Sequence, residues 1–286
     1  MADPRPMNFE QEPRIVDEVA VLDLDRTLLN TSAVTQLMLA SMARHGVGED
    51  RINQAIEYVE AQKGNSFHLF DYIEHEFSVT TLEAIVEEIM QDDALTLALK
   101  DDLLCPGADK LVYALEDQGT PAMILTFGEH NYQSFKIDLF RKLIHKTNKE
   151  LPGIVTDTAN KSMWVKENWF NRTDELGEVP VEIMGNSLLA RVVSIVDDKS
   201  SHLQSTDQRV VGVLVDNHVP RTKGVISTLE LAEAVARGIR IAEIAGVYED
   251  RDETDGPNKE VSSNVYHIDF AHHVKDDDNE FEELAS

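Results

Sequence analysis

Two carboxylates separated by a single residue directly follow the first apolar run of the chain. The run VAVL at 19–22 leads into Asp23 and Asp25. An apolar run of this kind, with polar residues before it and a turn after it, predicts a strand buried on both faces of a parallel sheet. Two carboxylates at the carboxyl end of such a strand repel each other unless a cation or a proton offsets their charge. A D-x-D pair alone is weak evidence in so acidic a chain, since a solvated turn can carry the same residues.

A second strand end carries groups that could bind an anion. The apolar run at 122–125 is followed by Thr126, Phe127 and Gly128. A hydroxyl next to backbone amides that a glycine leaves accessible is suited to cradling an oxyanion. We therefore take these three residues as candidates for binding a phosphoryl group.

Two more strand ends supply the remaining charges. The run at 192–196 ends in Asp197 and Asp198, a second carboxylate pair that could complete an oxygen site for Mg²⁺. Between the two acidic strand ends, Lys161 follows a short strand at 153–155 and begins a helix. An ammonium, a hydroxyl and four carboxylates at one sheet edge predict a site for a phosphate and a magnesium ion.

The elements that must position these groups alternate between strands and helices. This alternation predicts an α/β fold with a doubly wound, Rossmann-like parallel sheet. From residue 32 to residue 103 the apolar spacing is helical instead, which predicts an inserted all-helical domain. We assign 14–31 and 104–275 to the α/β core, 32–103 to a helical cap, and 1–13 and 276–286 to flexible termini.

Composition excludes several classes of function. The 286 residues are 42% hydrophobic, enough for a sizeable core, and the net charge of −27 argues against binding to a nucleic-acid backbone. No apolar run reaches the length of about 18 residues that a membrane helix needs. One cysteine, Cys105, cannot form an intramolecular disulfide. We expect a cytoplasmic protein that binds neither nucleic acid nor membrane.

The motifs together resemble those of the haloacid dehalogenase (HAD) superfamily, which consists mostly of phosphatases and phosphotransferases. VAVLDLDRTLL is similar to its first motif, and LLCPGADKLVYALEDQGTPAMILTFGE resembles the second in length and pattern. VVSIVDDKSSHL resembles the fourth motif, whereas the third is a lone lysine. The resemblance implies an α/β HAD core with a cap of the family's first type.

The resemblance also implies roles for individual residues. Asp23 would be the nucleophile that forms an aspartyl-phosphate, and Asp25 would act as general acid and then as general base. Mg²⁺ would be held by Asp23, the backbone carbonyl of Asp25 and Asp197, with Asp198 binding it through water or supporting a ligand. Lys161 would bridge Asp23 and the phosphate.

The phosphoryl group itself would bind to Thr126 and to the amides that follow, at Phe127 and Gly128, together with Lys161. Because a dehalogenase of this family lacks an acid two residues after the nucleophile, Asp25 favours phosphoryl over carbon–halogen chemistry. Lys199, next to the second acidic pair, remains an alternative candidate for the catalytic lysine.

Arg26 departs from the family pattern, which more often has glycine at this position. Arginine would be accommodated if the backbone avoids positive φ, and it could add charge near the phosphate or contact the cap. Basic residues of the helical segment are candidates for substrate contacts: Arg44, His45, Arg51, Lys63 and His68.

The function that the sequence predicts is Mg²⁺-dependent hydrolysis of a phosphomonoester in a small phosphorylated metabolite. A phosphotransferase using the same aspartyl-phosphate is one alternative. A non-catalytic HAD-like binding or regulatory protein is another, although such a protein need not have both a nucleophile and an acid.

Overall fold

The structure is a computed structural model of the chain. It describes the residues in the ranges 14–61, 68–170, 178–183, 186–203, 210–217, 225–241 and 265–266. The termini 1–13 and 276–286, which we predicted to be flexible, lie outside the described residues. So do the acidic runs at 249–255 and 275–283.

Seven strands form one sheet around a central β1. The strands are β1 Arg14–Leu22, β2 Ala122–Phe127, β3 Gly153–Thr156, β4 Glu178–Ile183, β5 Asn186–Asp197, β6 Val211–Leu214 and β7 Val265–Tyr266. Their order is β3-β2-β1-β5-β6-β7, and each pairing along this path is parallel. Strand β4 pairs antiparallel with β5. The chain adds strands on one side of β1 and then on the other, which places the carboxyl ends of β1, β2 and β5 at the switch point of an α/β sheet.

Apolar side chains cover both faces of β1 over residues 19–22. Ala20 and Leu22 belong to one buried cluster, and Val19 and Val21 belong to another on the opposite face. A strand that is apolar at successive positions is what burial on both faces requires. The predicted fold class, an α/β fold with a doubly wound parallel sheet, is therefore confirmed.

Helices pack on both faces of the sheet and fill the long segment after β1. The helices before β2 are α1 Thr31–Arg44, α2 Glu49–Ala61, α3 Leu69–Glu76, α4 Val79–Gln91, α5 Asp93–Ala98, α6 Lys100–Leu103 and α7 Ala108–Asp117. Those after β2 are α8 His130–Leu143, α9 Lys161–Val165, α10 Ser200–Leu203 and α11 Thr228–Ala236, with a π-helical turn at Lys166–Phe170.

The described part of the segment between β1 and α7 contains helices and no strand. Its apolar residues, among them Met38, Ile73 and Ile85, share one buried cluster with residues of α7 and α8. Whether this segment is a separate cap domain with the boundaries 32–103 stays a prediction. None of the helices in the described ranges is long and apolar enough to cross a membrane.

Two local features differ from what the sequence pattern indicated. The strand expected at 192–196 begins at Asn186, and its first half forms an antiparallel pair with β4, which was not predicted. The helix expected to begin at Lys161 is a five-residue α-helix that continues as a π-helical turn. Short-range periodicity cannot report either feature, because both depend on how the neighbouring backbone pairs.

Gly107 offers a test of how closely α7 packs against α11. Its φ is +84°, and a Cβ built there would lie 2.4 Å from the backbone Cα of Leu229. Gly119 has a similar φ of +74° but no heavy atom within 4 Å of such a Cβ. We expect Gly119→Ala to lower the free energy of unfolding by about 1 kcal/mol, the cost of left-handed backbone. Gly107→Ala should cost at least about 3 kcal/mol, because backbone must also move.

Urea unfolding of the two variants beside the parent protein measures both values. Equal losses of stability in the two variants would show that the close approach to Leu229 does not constrain the fold.

Candidate active site

A buried lysine lies between the two acidic strand ends. The amide of Asp23 donates to the carbonyl of Val196 at 2.8 Å, which fixes the carboxyl end of β1 against that of β5. Lys161 Nζ donates to Asp23 Oδ1 and, at 2.8 Å, to Asp197 Oδ2. All three side chains are buried, and Asp23 and Lys161 are each only 2% exposed. One ammonium therefore joins two carboxylates from different strands.

The charges at this edge are only partly compensated. Burial raises the pKa of Asp23 to about 6, although Lys161 opposes the shift. Burial and the nearby charges of Asp23 and Asp197 raise the pKa of Asp198 to about 8. Burial would also raise the pKa of Asp197, but Lys161 and His202 outweigh it and hold this pKa below its ordinary value. The cluster thus contains more negative charge than one lysine neutralises.

Three of these carboxylates could hold a metal ion. Oxygen atoms of Asp23, Asp197 and Asp198 all lie within 4.8 Å of one another. Carboxylate oxygens are the ligands that Mg²⁺ prefers, and the raised pKa values show that a further positive charge would be favourable here. The donor set therefore fits a magnesium ion. The carboxylate of Asp25 is not in this group, and its predicted contribution through the backbone carbonyl stays a prediction.

The carboxylate of Asp25 points to a different set of partners. Lys136 Nζ lies 2.5 Å from Oδ1, which also accepts from Thr31 Oγ1 at 2.8 Å. Gln133 Nε2 donates to Oδ2 at 3.0 Å. Burial would raise the pKa of Asp25, but Lys136, followed by Gln133 and Thr31, lowers it to about 2. Two carboxylates only two residues apart in sequence therefore have pKa values shifted in opposite directions.

Gln133 connects the ends of β1 and β2. Its Oε1 accepts from Thr126 Oγ1 at 3.0 Å, and its Nε2 donates to the carbonyl of Phe127 at 2.9 Å as well as to Asp25. Gly128 has a φ of +145°, and a Cβ there would lie 2.7 Å from Gln133 Nε2. Glycine is needed at this position for both reasons. Because the Thr126 hydroxyl donates to Gln133, it would have to exchange this hydrogen bond to donate to a phosphoryl oxygen.

The condition under which we expected arginine to be accommodated at position 26, a backbone without positive φ, is not met. The φ of Arg26 is 61°, a left-handed value that costs a non-glycine residue about 1 kcal/mol. Three hydrogen bonds hold the loop in this shape. Arg26 N donates to Leu29 O at 2.8 Å, Asn217 Nδ2 donates to Arg26 O at 2.6 Å, and Thr228 Oγ1 donates to Thr27 O at 2.8 Å. The side chain of Arg26 is exposed, and no described residue forms an ion pair with it.

The alternative candidate Lys199 and two other residues near the acidic cluster have distinct environments. Lys199 is exposed, and its backbone amide donates to Asp197 Oδ1 at 2.9 Å. His202 Nδ1 lies 3.0 Å from the same oxygen. Cys105 is buried, and burial together with the charges of Asp23 and Asp198 raises the pKa of its thiol to about 12. The thiol is therefore neutral at physiological pH.

Most basic residues of the helical segment pair with carboxylates of that segment. Arg44 and His45 both contact Glu88, and Arg51 contacts the side chain of Glu76. Lys63 lies outside the described residues. His68 Nδ1 lies 3.1 Å from Asp71 Oδ2. Among the described residues of this set, His68 lies within 4.8 Å of Glu129, which follows the strand end at 126–128.

Glu129, the residue after Gly128, joins the helical segment to this strand end. Its Oε2 accepts from the amide of Phe70 at 3.2 Å, and its Oε1 is buried with no hydrogen-bond partner among the described residues. Burial and the charge of Asp71 raise its pKa to about 7. The oxygens of Glu129 and Asp71 and a ring nitrogen of His68 also lie within 4.8 Å of one another.

Sequence reasoning missed three buried polar residues of the site: Gln133, Lys136 and His202. A usable signal existed for the first two. Both fall among the apolar positions of α8, where a polar side chain is costly unless it has a partner. The position of His202, by contrast, depends on the turn after β5 and has no comparable signal in the sequence.

Several solved structures are similar to this chain. A protein of Burkholderia xenovorans LB400, described as a haloacid dehalogenase-like hydrolase, is 18% identical with a TM-score of 0.48, over 79% of this chain and 98% of that one. CbbY of Rhodobacter sphaeroides, solved with phosphate, is 14% identical with a TM-score of 0.42. The match covers 76% of this chain and 96% of CbbY. YfnB of Bacillus subtilis, described as a HAD-hydrolase and bound to magnesium, is 13% identical with a TM-score of 0.42. The match covers 80% of this chain and 100% of YfnB.

The superfamily named among these structures is the one that the sequence motifs resemble. No protein-family model matches the sequence, and no curated protein matches it. At these identities and TM-scores the likeness carries no conclusion about activity, and the function has to be argued from the residues of the site.

The raised pKa of Glu129 predicts a pH-dependent change in stability. Between its ordinary pKa of 4.5 and the folded-state value of about 7, the folded protein keeps a proton that the unfolded chain has lost. Stability contributed by this residue therefore falls as pH rises through this window and is lowest above pH 7. We expect Glu129→Gln to be more stable than the parent protein at about pH 8, with a smaller gain at about pH 5.

Urea unfolding at the two pH values measures this difference, and Glu83→Gln, at an exposed position of α4, is the matched control. A gain for Glu129→Gln that is the same at both pH values would contradict the assigned protonation.

Proposed function

We propose that this protein is a HAD-type, Mg²⁺-dependent phosphomonoester hydrolase that acts on a small phosphorylated metabolite through an aspartyl-phosphate. The observation that supports this proposal most strongly is the buried bridge from Lys161 to Asp23 and Asp197. It sits in a cluster whose third carboxylate, Asp198, is only partly compensated by positive charge. Such a cluster favours a divalent cation, and a lysine with a bound cation makes the same place favourable for a phosphoryl group.

In the first half-reaction, a carboxylate oxygen of Asp23 attacks phosphorus. The new O–P bond forms as the bond from phosphorus to the leaving oxygen breaks, and the leaving oxygen takes a proton from Asp25. In the second half-reaction, a water oxygen attacks the same phosphorus and passes a proton to Asp25. The bond from phosphorus to Asp23 then breaks, which releases phosphate and restores both carboxyl groups.

Magnesium would be held by the carboxylates of Asp23, Asp197 and Asp198 and by the carbonyl of Asp25. When bound, it neutralises phosphoryl oxygens so that an anionic nucleophile can approach an anionic substrate. Lys161 would contribute a second positive charge to the phosphoryl group, and Thr126 with the amides at Phe127 and Gly128 would bind its oxygens.

The pKa of Asp25 matters for the order of these events. With a pKa of about 2, Asp25 is a carboxylate in the resting site and so has the oxygen lone pairs needed to take a proton, but a carboxylate with so low a pKa is a weak base. To act as an acid in the first, it has to gain a proton when the dianionic substrate arrives beside it. Negative charge from a bound phosphate favours such a shift, because it disfavours the ionised carboxyl.

Transfer of the phosphoryl group to an alcohol instead of water is the second candidate, since the same aspartyl-phosphate serves both reactions. Product analysis with an added sugar or nucleoside as acceptor separates the two. A protein that binds ligands without catalysis would explain neither the burial of Lys161 between two carboxylates nor the separate partners of Asp23 and Asp25.

The proposal is tested by phosphate release from a panel of phosphorylated metabolites with Mg²⁺ and with EDTA. We expect phosphate release with Mg²⁺ and none with EDTA. Asp23→Asn should lose at least about a thousandfold in activity, because the amide cannot form the acyl-phosphate bond. Glu83→Gln serves as a surface control. An Asp23→Asn variant that keeps more than a few per cent of the activity would exclude the covalent mechanism.

A comparison of two lysines tests which of them acts in catalysis. Lys161 contacts Asp23 and Asp197, whereas the side chain of Lys199 is exposed. We expect Lys161→Ala to lower kcat/KM by at least about a hundredfold and Lys199→Ala by less than about tenfold. If Lys199→Ala were the more damaged variant, the assignment would have to be reversed.

Thermal unfolding tests the metal site without measuring activity. Because excess negative charge destabilises the metal-free cluster, millimolar Mg²⁺ should raise the melting temperature. Burial and its neighbours raise the pKa of Asp198 to about 8, so its ionisation costs stability as pH rises towards this value. Asp198→Asn should therefore melt higher than the parent protein without metal at about pH 8, and gain less from Mg²⁺. Melting curves that do not respond to Mg²⁺ in the parent protein would argue against this site.

A further inference from the structure

Two side chains of α8 hold the carboxylate of Asp25, and the reaction outlined above gives neither a role. Lys136 Nζ lies 2.5 Å from Oδ1 of Asp25, and Gln133 Nε2 lies 3.0 Å from Oδ2. Gln133 is 3% exposed and Lys136 is 1% exposed. Burying an ammonium and a carboxamide costs free energy that an apolar side chain at the same positions would not cost.

The apolar packing of α8 does not depend on this ion pair. Ile137, Leu139, Phe140 and Leu143 anchor the helix in the buried cluster that covers one face of the sheet. The aliphatic stem of a buried lysine could be replaced there by methionine with little change in volume. What the ammonium adds is a positive charge next to Asp25, since Asp25 is the carboxylate to which Lys136 is paired.

Gln133 relates Asp25 to the strand end that we propose for the phosphoryl group. The same side chain accepts from Thr126 and donates to the carbonyl of Phe127. The two oxygens of Asp25 are thus fixed by different residues of one helix, which itself begins directly after this strand end. The side chain of Asp25 nevertheless stays 27% exposed, so one side of it is open to a water or a substrate.

We propose that Lys136 and Gln133 are positioning residues that aim the carboxylate of Asp25 at the reacting groups. This inference rests on the proposed function. In the second half-reaction, Asp25 takes a proton from the water whose oxygen attacks phosphorus as the bond from phosphorus to Asp23 breaks. Without Lys136, the carboxylate can rotate away from this water, and hydrolysis of the aspartyl-phosphate slows.

A substrate whose leaving group needs no proton isolates the second half-reaction, the hydrolysis of the aspartyl-phosphate. With p-nitrophenyl phosphate and Mg²⁺, formation of the aspartyl-phosphate releases p-nitrophenolate, which can leave without a proton. We expect Lys136→Met to release one equivalent of p-nitrophenolate per enzyme in a rapid burst and then to turn over at least about tenfold more slowly than the parent protein. Because only the later step is slowed, kcat and KM should fall together and kcat/KM should change little.

Two further variants separate positioning from a merely structural effect. Lys136→Arg keeps the charge and the donors and should restore most of kcat, whereas Gln133→Leu should reduce kcat in the same way as Lys136→Met. Lys149→Met removes an exposed lysine and is the matched control, with the kinetic trace of the parent protein expected. If Lys136→Met does not fold, Lys136→Gln, which keeps a donor without the charge, should show the same burst.

The inference is overturned if the folded Lys136 variants turn over at the rate of the parent protein without a burst. It is also overturned if they lose activity without a burst and Lys136→Arg loses it equally. A parent protein that releases no phosphate from any substrate would overturn the proposed function itself, and this inference with it.

Discussion

Mutual repulsion among carboxylates at the end of β1 is the constraint on which the rest of the site depends. The parallel register that pairs Leu22 with Val196 brings Asp23 next to Asp197 and Asp198. Each neighbouring element therefore supplies something that offsets negative charge. Helix α9 begins with Lys161, the turn after β5 supplies the backbone amide of Lys199, α10 supplies His202, and α8 supplies Lys136. The positive charge that is still missing is what makes the place suitable for a metal ion and a phosphate.

Two lysines give the carboxylates of the D-x-D pair different properties. Lys161 shares its charge between Asp23 and Asp197, so burial and repulsion still raise the pKa of Asp23. Lys136 forms an ion pair with Asp25, which also accepts hydrogen bonds from Gln133 and Thr31, so the pKa of Asp25 falls. Environments that push the pKa values of neighbouring acids apart are typical of sites in which the two groups do different work. Because both residues are aspartates, the difference between their pKa values comes from their surroundings. Helix α9 presents its lysine to Asp23, and α8 presents its lysine to Asp25.

The sequence predicted the groups at the strand ends but not those that reach them from helix surfaces. A buried strand followed by a polar residue is a local pattern, and the carboxyl ends of parallel strands meet at one edge, so the pattern of residues was enough to bring Asp23, Asp197 and Lys161 together. Gln133 and Lys136 depend on the rotation of α8 about its axis, which a single sequence does not fix. Arg26 shows another limit. Its positive φ is imposed by hydrogen bonds from Asn217 and Thr228, which lie nearly two hundred residues further along the chain.

The first turns of α8 also join the helical segment to the carboxylate of Asp25. The amide of Phe70 donates to Glu129 just before α8 begins, and the ring of Phe70 lies 5.1 Å from that of Tyr132. The ring of Tyr132 in turn lies 4.6 Å from the ammonium of Lys136, which pairs with Asp25. A short chain of direct contacts therefore runs from α3 to the carboxylate of Asp25.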